Sequence, residues 1–400
     1  MKRFSIRRVV AAFLSALSLS FPFSTGIRAE KQPTEDPSPS LSLCAEEGSL
    51  SLSCESAILM EATTGTVLYT QNCDKALPPA SVTKIMTLLL IMEAIDSGKI
   101  KLDDMVTASA NAAGMGGSQI YLKEGEQMCV EDLLKSIIIS SANDAAVAMA
   151  EHLTGDVDTF VRQMNQKAQE LGMKSTHFEN ATGLDDTAVQ HLTSARDIAL
   201  MSRALIQHKT ILKYSSIWMD TIRNGAFGLT NTNRLIRFYR GATGLKTGST
   251  SKAGFCVSVT AERDGLSLVC VIMGAESRDI RNAQATRLLD WGFANYALFR
   301  VPDESMGQIH IVGGTVPNVG ISSKGFSCVL PKNELGKVCS RTDLPEQIPA
   351  PVQAEDCIGS TEYFLGNTPI GKSDIVADDS VDKINFFGVW KKLLSRIMLI

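Results

Sequence analysis

From Ile85 to Ile95 the chain is apolar all the way round a helix: Ile85, Leu88, Leu89, Met92 and Ile95 share one face, while Met86, Leu90 and Ile91 cover the others. A helix with no wet face has to be surrounded by the rest of the fold, so the spacing predicts a buried central helix. Pro78-Pro79-Ala80-Ser81-Val82-Thr83-Lys84 marks its start and Ser97-Gly98 its end. At 400 residues and 44% hydrophobic content, the chain has enough material to bury such a helix and to form two domains.

Around this helix the patterns fall into blocks. Residues 56–60 and 66–69 read as short strands turned at Thr63-Thr64-Gly65. Helical patterns fill the middle, over 131–153 with an interruption at Ser140-Ser141-Ala142-Asn143-Asp144, and over 158–171. Strand patterns return over 245–248, 254–261 and 266–273, the last two joined by Asp264-Gly265, and 278–299 reads as a helix that covers them. Such segregation predicts an α+β domain over 43–299 rather than alternating βαβ units. From Val301 to Ala377 helical periodicity vanishes, while Gly and Pro punctuate short runs such as 308–312 and 326–330, which predicts a second, small β-rich domain over 300–378. Over 381–400 an amphipathic helix is expected, with Phe386, Phe387, Trp390, Leu393, Leu394 and Ile397 on one side and Gly388, Lys392, Ser395 and Arg396 on the other. That apolar side either lies on a membrane surface, which Lys391, Lys392 and Arg396 favour, or docks on its own domain.

Lys2, Arg3, Arg7 and Arg8 precede an apolar run over 9–23 and then small and polar residues, the pattern of a secretory signal over 1–29. A cut after Ala29 fits, and Ser24 to Gly26 offer other sites; a retained anchor is the weaker reading, because a spanning helix needs about 20 apolar residues. A Pro- and Ser-rich leader occupies 30–42. The expectation is an exported, extracytoplasmic protein. A net charge of -4 without a basic run speaks against nucleic acid as a partner. The nine cysteines are an odd number in a long chain and imply no dense disulfide framework. Cys256 and Cys270 sit in apolar runs that suit buried thiols, whereas Cys328, Cys339 and Cys357 cluster late and could include one bridge. With no C-x-x-C pair, and five histidines lacking ligand spacing, neither a metal nor a cofactor is expected.

Three short motifs carry chemistry. Ser81-x-x-Lys84 places a hydroxyl and an amine one turn apart on a helix, where a neutral lysine can take the serine proton. The helix start favours a developing alkoxide, and burial lowers a lysine pKa toward the base form. Taken alone the pair is equally a helix cap and a surface lysine. Ser141-Ala142-Asn143 breaks an apolar helical region with a hydroxyl and an amide, either to relay a proton and hold a peptide or as an interhelical cap. Lys246-Thr247-Gly248 falls on an expected strand, where the lysine and threonine can bind a carboxylate and the glycine lets substrate lie close. Their joint order, S-x-x-K, S-x-N and K-T-G, is that of penicillin-binding proteins and class A β-lactamases.

The chain here resembles the low-molecular-mass penicillin-binding proteins, specifically the D-alanyl-D-alanine carboxypeptidases of the peptidase S11 family. Beyond the three motifs the resemblance rests on Pro79-Ala80, Gly117-Ser118-Gln119, Asp144-Ala145, Thr182-Gly183-Leu184-Asp185 and Ser249-Thr250. It implies a β-lactamase/transpeptidase-like catalytic domain, a small β-rich domain, and a C-terminal helix on the outer face of the cytoplasmic membrane. The reaction it implies is removal of the terminal D-alanine from peptidoglycan stem pentapeptides through an acyl-enzyme, with β-lactams as covalent inhibitors. Ser81 takes the place of the nucleophile and Lys84 that of the base. Ser141 and Asn143 complete proton relay and positioning, and the backbone N–H groups of Ser81 and Ser249 form the oxyanion hole. Arg281 helps Thr247 hold the terminal carboxylate, unless it is a solvated helix residue. The sequence departs from the family at Ser249, where a larger aromatic or imidazole side chain is common.

Two other functions use the same motifs. A class A β-lactamase needs a glutamate in an E-x-x-L-N loop, which the sequence lacks. A degraded site would only bind wall peptide or antibiotic, although every motif residue is intact. Gly366-x-x-x-x-Gly371-Lys372-Ser373 matches a nucleotide P-loop, but that motif needs a strand before it and a helix after, and the stretch from Asp374 to Asp379 is short and acidic.

Overall fold

The structure, a computed structural model, describes residues 50–184 and 188–397. The secretory signal, the leader, Cys44 and Asp185 lie outside the described residues.

The first hairpin pairs β1 (Ser56–Glu61) with β2 (Val67–Gln71). Three long strands, β3 (Ala242–Thr250), β4 (Gly254–Arg263) and β5 (Leu266–Ala275), come much later in sequence. All five form one antiparallel sheet in the order β2-β1-β5-β4-β3. Alternation decides which face each residue serves. Ile58, Met60, Val269, Val271 and Met273 join the core beneath the helical region, and Ala57, Leu59, Leu268, Cys270 and Ile272 join a second core on the other face. That second core is closed by the helix Arg278–Asn295, whose Gly292 lies so near Leu59 that an added Cβ would stand 2.6 Å from its Cδ2.

The apolar helix is α1 (Lys84–Asp96), preceded by a tight 3₁₀ turn over Ala80–Thr83, and nine of its residues are buried around its circumference. It packs on α2 (Val130–Ile139), α3 (Asn143–Thr154), α4 (Val157–Glu170) and α5 (Ala195–Gln207). The break between α2 and α3 falls at Ser140–Ala142, as the polar interruption foretells, and Ser141 there adopts φ +67°.

The closing helix ends at Asn295, four residues short of the expected end, because Tyr296–Val301 is a strand paired with Phe326–Pro331. Tyr, Leu, Phe and Val suit a pleated ladder, and pairing outweighs the continuation of a helical apolar pattern. This strand crosses the boundary expected at 299/300. The small β-rich domain is confirmed: six strands form a sheet over its own core of Ile309, Ile311, Val319, Ile321, Ile375 and neighbours. The P-loop-like segment there is a hairpin, with Gly366 in the turn between Cys357–Leu365 and Thr368–Ala377 and Lys372 and Ser373 on the second strand. The phosphate-binding reading is therefore excluded. The late cysteine cluster also holds no bridge: Cys328, Cys339 and Cys357 are free thiols, on strands whose registers keep them apart. Cys256 and Cys270 are buried free thiols, and burial pushes Cys256 up to about 11.

Candidate active site

Ser81 stands in the 3₁₀ turn, one residue after Ala80, which is itself held at φ +49°. A left-handed alanine is a strained conformation that needs support from its surroundings. The backbone N–H of Glu179 donates to His191 Nδ1, which leaves the His191 Nε2–H to face Thr83 Oγ1 at 2.8 Å. The Thr83 hydroxyl can then donate to the Ala80 carbonyl, also 2.8 Å away. His191 is thus a brace beneath the serine turn, a role no spacing in the sequence signals.

Lys84 comes one turn on, fully buried, with Nζ 2.9 Å from Ser81 Oγ. Its other contact is the carbonyl of Thr182, to which it donates at 2.8 Å. That carbonyl is aimed by Asn180, whose Oδ1 accepts from the backbone N–H groups of Thr182 (3.1 Å) and Gly183 (2.7 Å). Gly183 takes φ +81° and runs against the serine turn so closely that a Cβ would meet the Ala80 oxygen at 1.8 Å. Burial, and next the charge of Lys246, hold the Lys84 ammonium well below the ordinary lysine pKa, with Asp144 opposing them.

Ser141 and Asn143 come from the α2–α3 break. Ser141 Oγ is buried with no hydrogen-bond partner among the described residues, and so is Asn143 Oδ1. Buried polar atoms are ordinarily paired, so two orphans in one motif mark a place that expects a ligand. Asn143 is oriented by donating its amide to Gly116 O at 2.7 Å, and Asp144 accepts from the N–H groups of Ile120 and Leu122, tying down the loop that carries Ser118.

The opposite wall is β3. Gly248 lies against the serine turn, where a Cβ would stand 2.8 Å from both Pro79 O and Ser81 N. Lys246 is fully buried and pushed down to about 7, first by burial and then by Arg281. Thr247 donates to Thr232 Oγ1 at 2.8 Å, and Ser249 is exposed at the mouth. Arg281 is 3% exposed, so the solvated alternative falls away; it donates to Asn282 Oδ1 at 3.0 and 3.1 Å and reaches the Cys256 carbonyl at 3.4 Å. Ser81, Ser118, Ser141, Thr247, Gly248, Ser249 and Arg281 line one cleft of about 630 Å³, together with Trp218, Thr230, Asn231, Thr232, Arg234, Phe238 and Arg278. Lys84, Asn143 and Lys246 are not in this lining, but Lys84 bonds to Ser81 Oγ, Lys246 donates to the Thr247 carbonyl at 3.1 Å, and Asn143 follows Ser141 by two residues. Sequence reasoning gives no role to Asn180, Thr182 or His191 and does not single out the Trp218–Phe238 wall.

An amine whose charged form is disfavoured by burial, beside a hydroxyl and with cations facing across the cleft, is equipped for acyl transfer to serine from a substrate that ends in a carboxylate. The chain matches the family model described as D-alanyl-D-alanine carboxypeptidase over residues 44–277, and that described as the C-terminal domain of penicillin-binding protein 5 over 303–383. It is 38% identical over 347 residues to the D-alanyl-D-alanine carboxypeptidase DacF of Bacillus subtilis, covering 85% of this chain and 89% of that protein. Among solved structures, penicillin-binding protein 5 from Haemophilus influenzae superimposes with a TM-score of 0.72 at 30% identity, over 84% of this chain and 99% of that one. Penicillin-binding protein D2 from Listeria monocytogenes, in an ampicillin-bound form, does so with a TM-score of 0.56 at 33% identity, over 61% and 99%. Motifs, cleft and these likenesses agree, and the chain belongs to the D-alanyl-D-alanine carboxypeptidases of the peptidase S11 family.

Proposed function

We propose that Ser81 is the nucleophile and Lys84 the general base of a carboxypeptidase that removes the terminal D-alanine from peptidoglycan stem pentapeptides. The observation that carries this reading is the buried Lys84 amine 2.9 Å from Ser81 Oγ, in a site where burial and Lys246 favour its neutral form. The neutral amine donates one hydrogen to Thr182 O and accepts the serine proton on its lone pair. Ser81 Oγ then attacks the penultimate D-Ala carbonyl, and the Ser81 and Ser249 N–H groups receive the oxyanion; each such donor is worth about 3 kcal/mol of transition-state stabilisation. Ser141 passes the proton to the leaving nitrogen, Asn143 holds the peptide, and Lys246, Thr247 and Arg281 hold the terminal carboxylate. Gly248 keeps the strand clear for the backbone of the substrate. Water then hydrolyses the ester. β-Lactams acylate the same serine. Among the described residues lining the cleft there is no aspartate or glutamate, which speaks against the water-activating glutamate of a class A β-lactamase.

Within this reading, 43–299 is the catalytic unit, 300–378 the small domain, and 381–400 the attachment to the outer surface of the cytoplasmic membrane after export. Phe386, Phe387, Trp390, Leu393 and Ile397 are all exposed, which supports a lipid surface over docking on the chain's own domain. No helix among the described residues is long and apolar enough to cross a membrane. The test is D-alanine release from a stem pentapeptide. The native chain is expected to release it and Ser81→Ala to release none, whereas penicillin binding without release would leave a binding protein.

A further inference from the structure

We propose that Arg234 and Arg278 form a second anion subsite in the cleft, which recognises a free carboxylate on the acyl portion of the peptide, upstream of the scissile bond. The proposal rests on the carboxypeptidase reading and adds a substrate preference to it.

The cleft carries more positive charge than one carboxylate needs. Thr247 and the buried Arg281, with Lys246 behind them, suffice for the one carboxylate that ends any such peptide. Arg234 and Arg278 line the same cleft and are exposed within it. Three other arginines of the domain are ion-paired, Arg196 with Asp74, Arg223 with Glu126 and Arg263 with Asp290, and Arg203 and Arg287 donate to backbone carbonyls. Among the described residues the guanidinium groups of Arg234 and Arg278 have no ion pair and no hydrogen-bond acceptor, and none of those lining the cleft is acidic. The cationic groups are also close enough to repel: beyond burial, Arg278 and then Arg234 help to hold Arg281 down to about 10, although Cys256 and Asp279 act in the opposite sense. Gathering like charges is unfavourable unless something of opposite sign arrives. A single terminal carboxylate leaves two of these three guanidiniums uncompensated. D-Alanine as leaving residue brings no other anion, so the second carboxylate belongs to the part that remains on Ser81.

An aromatic part of the same cleft suits a peptide chain. Trp218 and Phe238 meet edge to face at 6.3 Å, and the Arg237 guanidinium lies over both rings at 5.7 and 5.6 Å. Phe238 is 72% exposed, and the Trp218 indole N–H is buried without an acceptor, which leaves a donor for a peptide carbonyl. An apolar shelf carrying an unused donor and flanked by guanidinium groups is the composition of a small-ligand subsite.

The test uses two pentapeptides ending in D-Ala-D-Ala that differ only in an upstream acidic residue, free in one and amidated in the other. The native chain is expected to favour the free acid about tenfold in kcat/KM, mainly through KM, and to lose that preference as salt is raised. In Arg234→Gln and Arg278→Gln the ratio between the two peptides should fall toward one. Calorimetric binding of both peptides to the full-length Ser81→Ala protein should give the same ratio without turnover, so a failure of the catalytic reading would be seen separately. Equal affinity of the native site for acid and amide, or equal loss of both peptides in the arginine variants, would overturn the proposal.

Discussion

At the scale of single residues, the site is built from cations deprived of solvent. As the proposed base Lys84 has to be neutral, and its burial makes that form accessible well below the usual lysine range. Penicillin acylation is therefore expected to rise with pH as this amine loses its proton, and Lys84→Met should lower the acylation rate by about 10²- to 10⁴-fold and abolish that limb, read by stopped-flow labelling. Lys246 has a cost of the same origin. Its pKa is pushed from 10.5 to about 7, so between those values the unfolded chain binds a proton that the folded chain does not. Stability contributed by this residue is thus lowest at and below pH 7 and recovers as pH rises toward 10.5. Lys246→Met should melt at a higher temperature than the native chain at pH 7, by about 1–4 kcal/mol in stability, with the difference closing toward pH 10.5, while D-alanine release is lost. A lower melting temperature at pH 7 would mean that Lys246 is better compensated than its surroundings indicate.

At the scale of elements, the site lies where a tight turn, a helix break and a strand edge meet, and two glycines measure how closely they do. Gly248→Ala would drive a methyl to within 2.8 Å of Ser81 N, and Gly183→Ala one to 1.8 Å of Ala80 O. Both should reduce D-alanine release by at least a hundredfold. Gly183→Ala should lower thermal stability more than Gly248→Ala, because φ +81° disfavours a side chain whatever the space, whereas at Gly248 only the approach to the serine turn opposes it. Melting curves beside activity separate the two effects. These elements are unequally legible in the sequence. The apolar helix, the polar break at Ser141 and the K-T-G strand carry their chemistry in side chains, so periodicity and motif order find them. The Thr182 carbonyl works through a backbone atom that any residue would supply, and His191 works through a brace 108 positions away from Thr83, so neither leaves a local pattern. The closing helix reads too long from sequence because Tyr296 to Phe299 is apolar in either geometry, and only a partner strand distant in sequence decides between them.

At the scale of the whole molecule, the proposed catalysis and the proposed membrane attachment fall on separate parts of the chain. The helix Phe386–Ile397 exposes a row of aromatic and aliphatic side chains that no described part of the chain covers, and Lys391 adds charge beside them. A chain ending at residue 385 is expected to lose sedimentation with vesicles containing anionic lipid while its kcat/KM on a soluble pentapeptide changes less than about twofold. Vesicle binding that survives the truncation would move the attachment elsewhere. The catalytic reading presupposes that the hydroxyl beside Lys84 is the group that becomes esterified. The most direct measurement is mass mapping of the full-length protein after reaction with labelled penicillin, beside Ser81→Ala. The account predicts one adduct, on the peptide containing Ser81, that is absent from the variant; an adduct on any other residue of the native protein would contradict it.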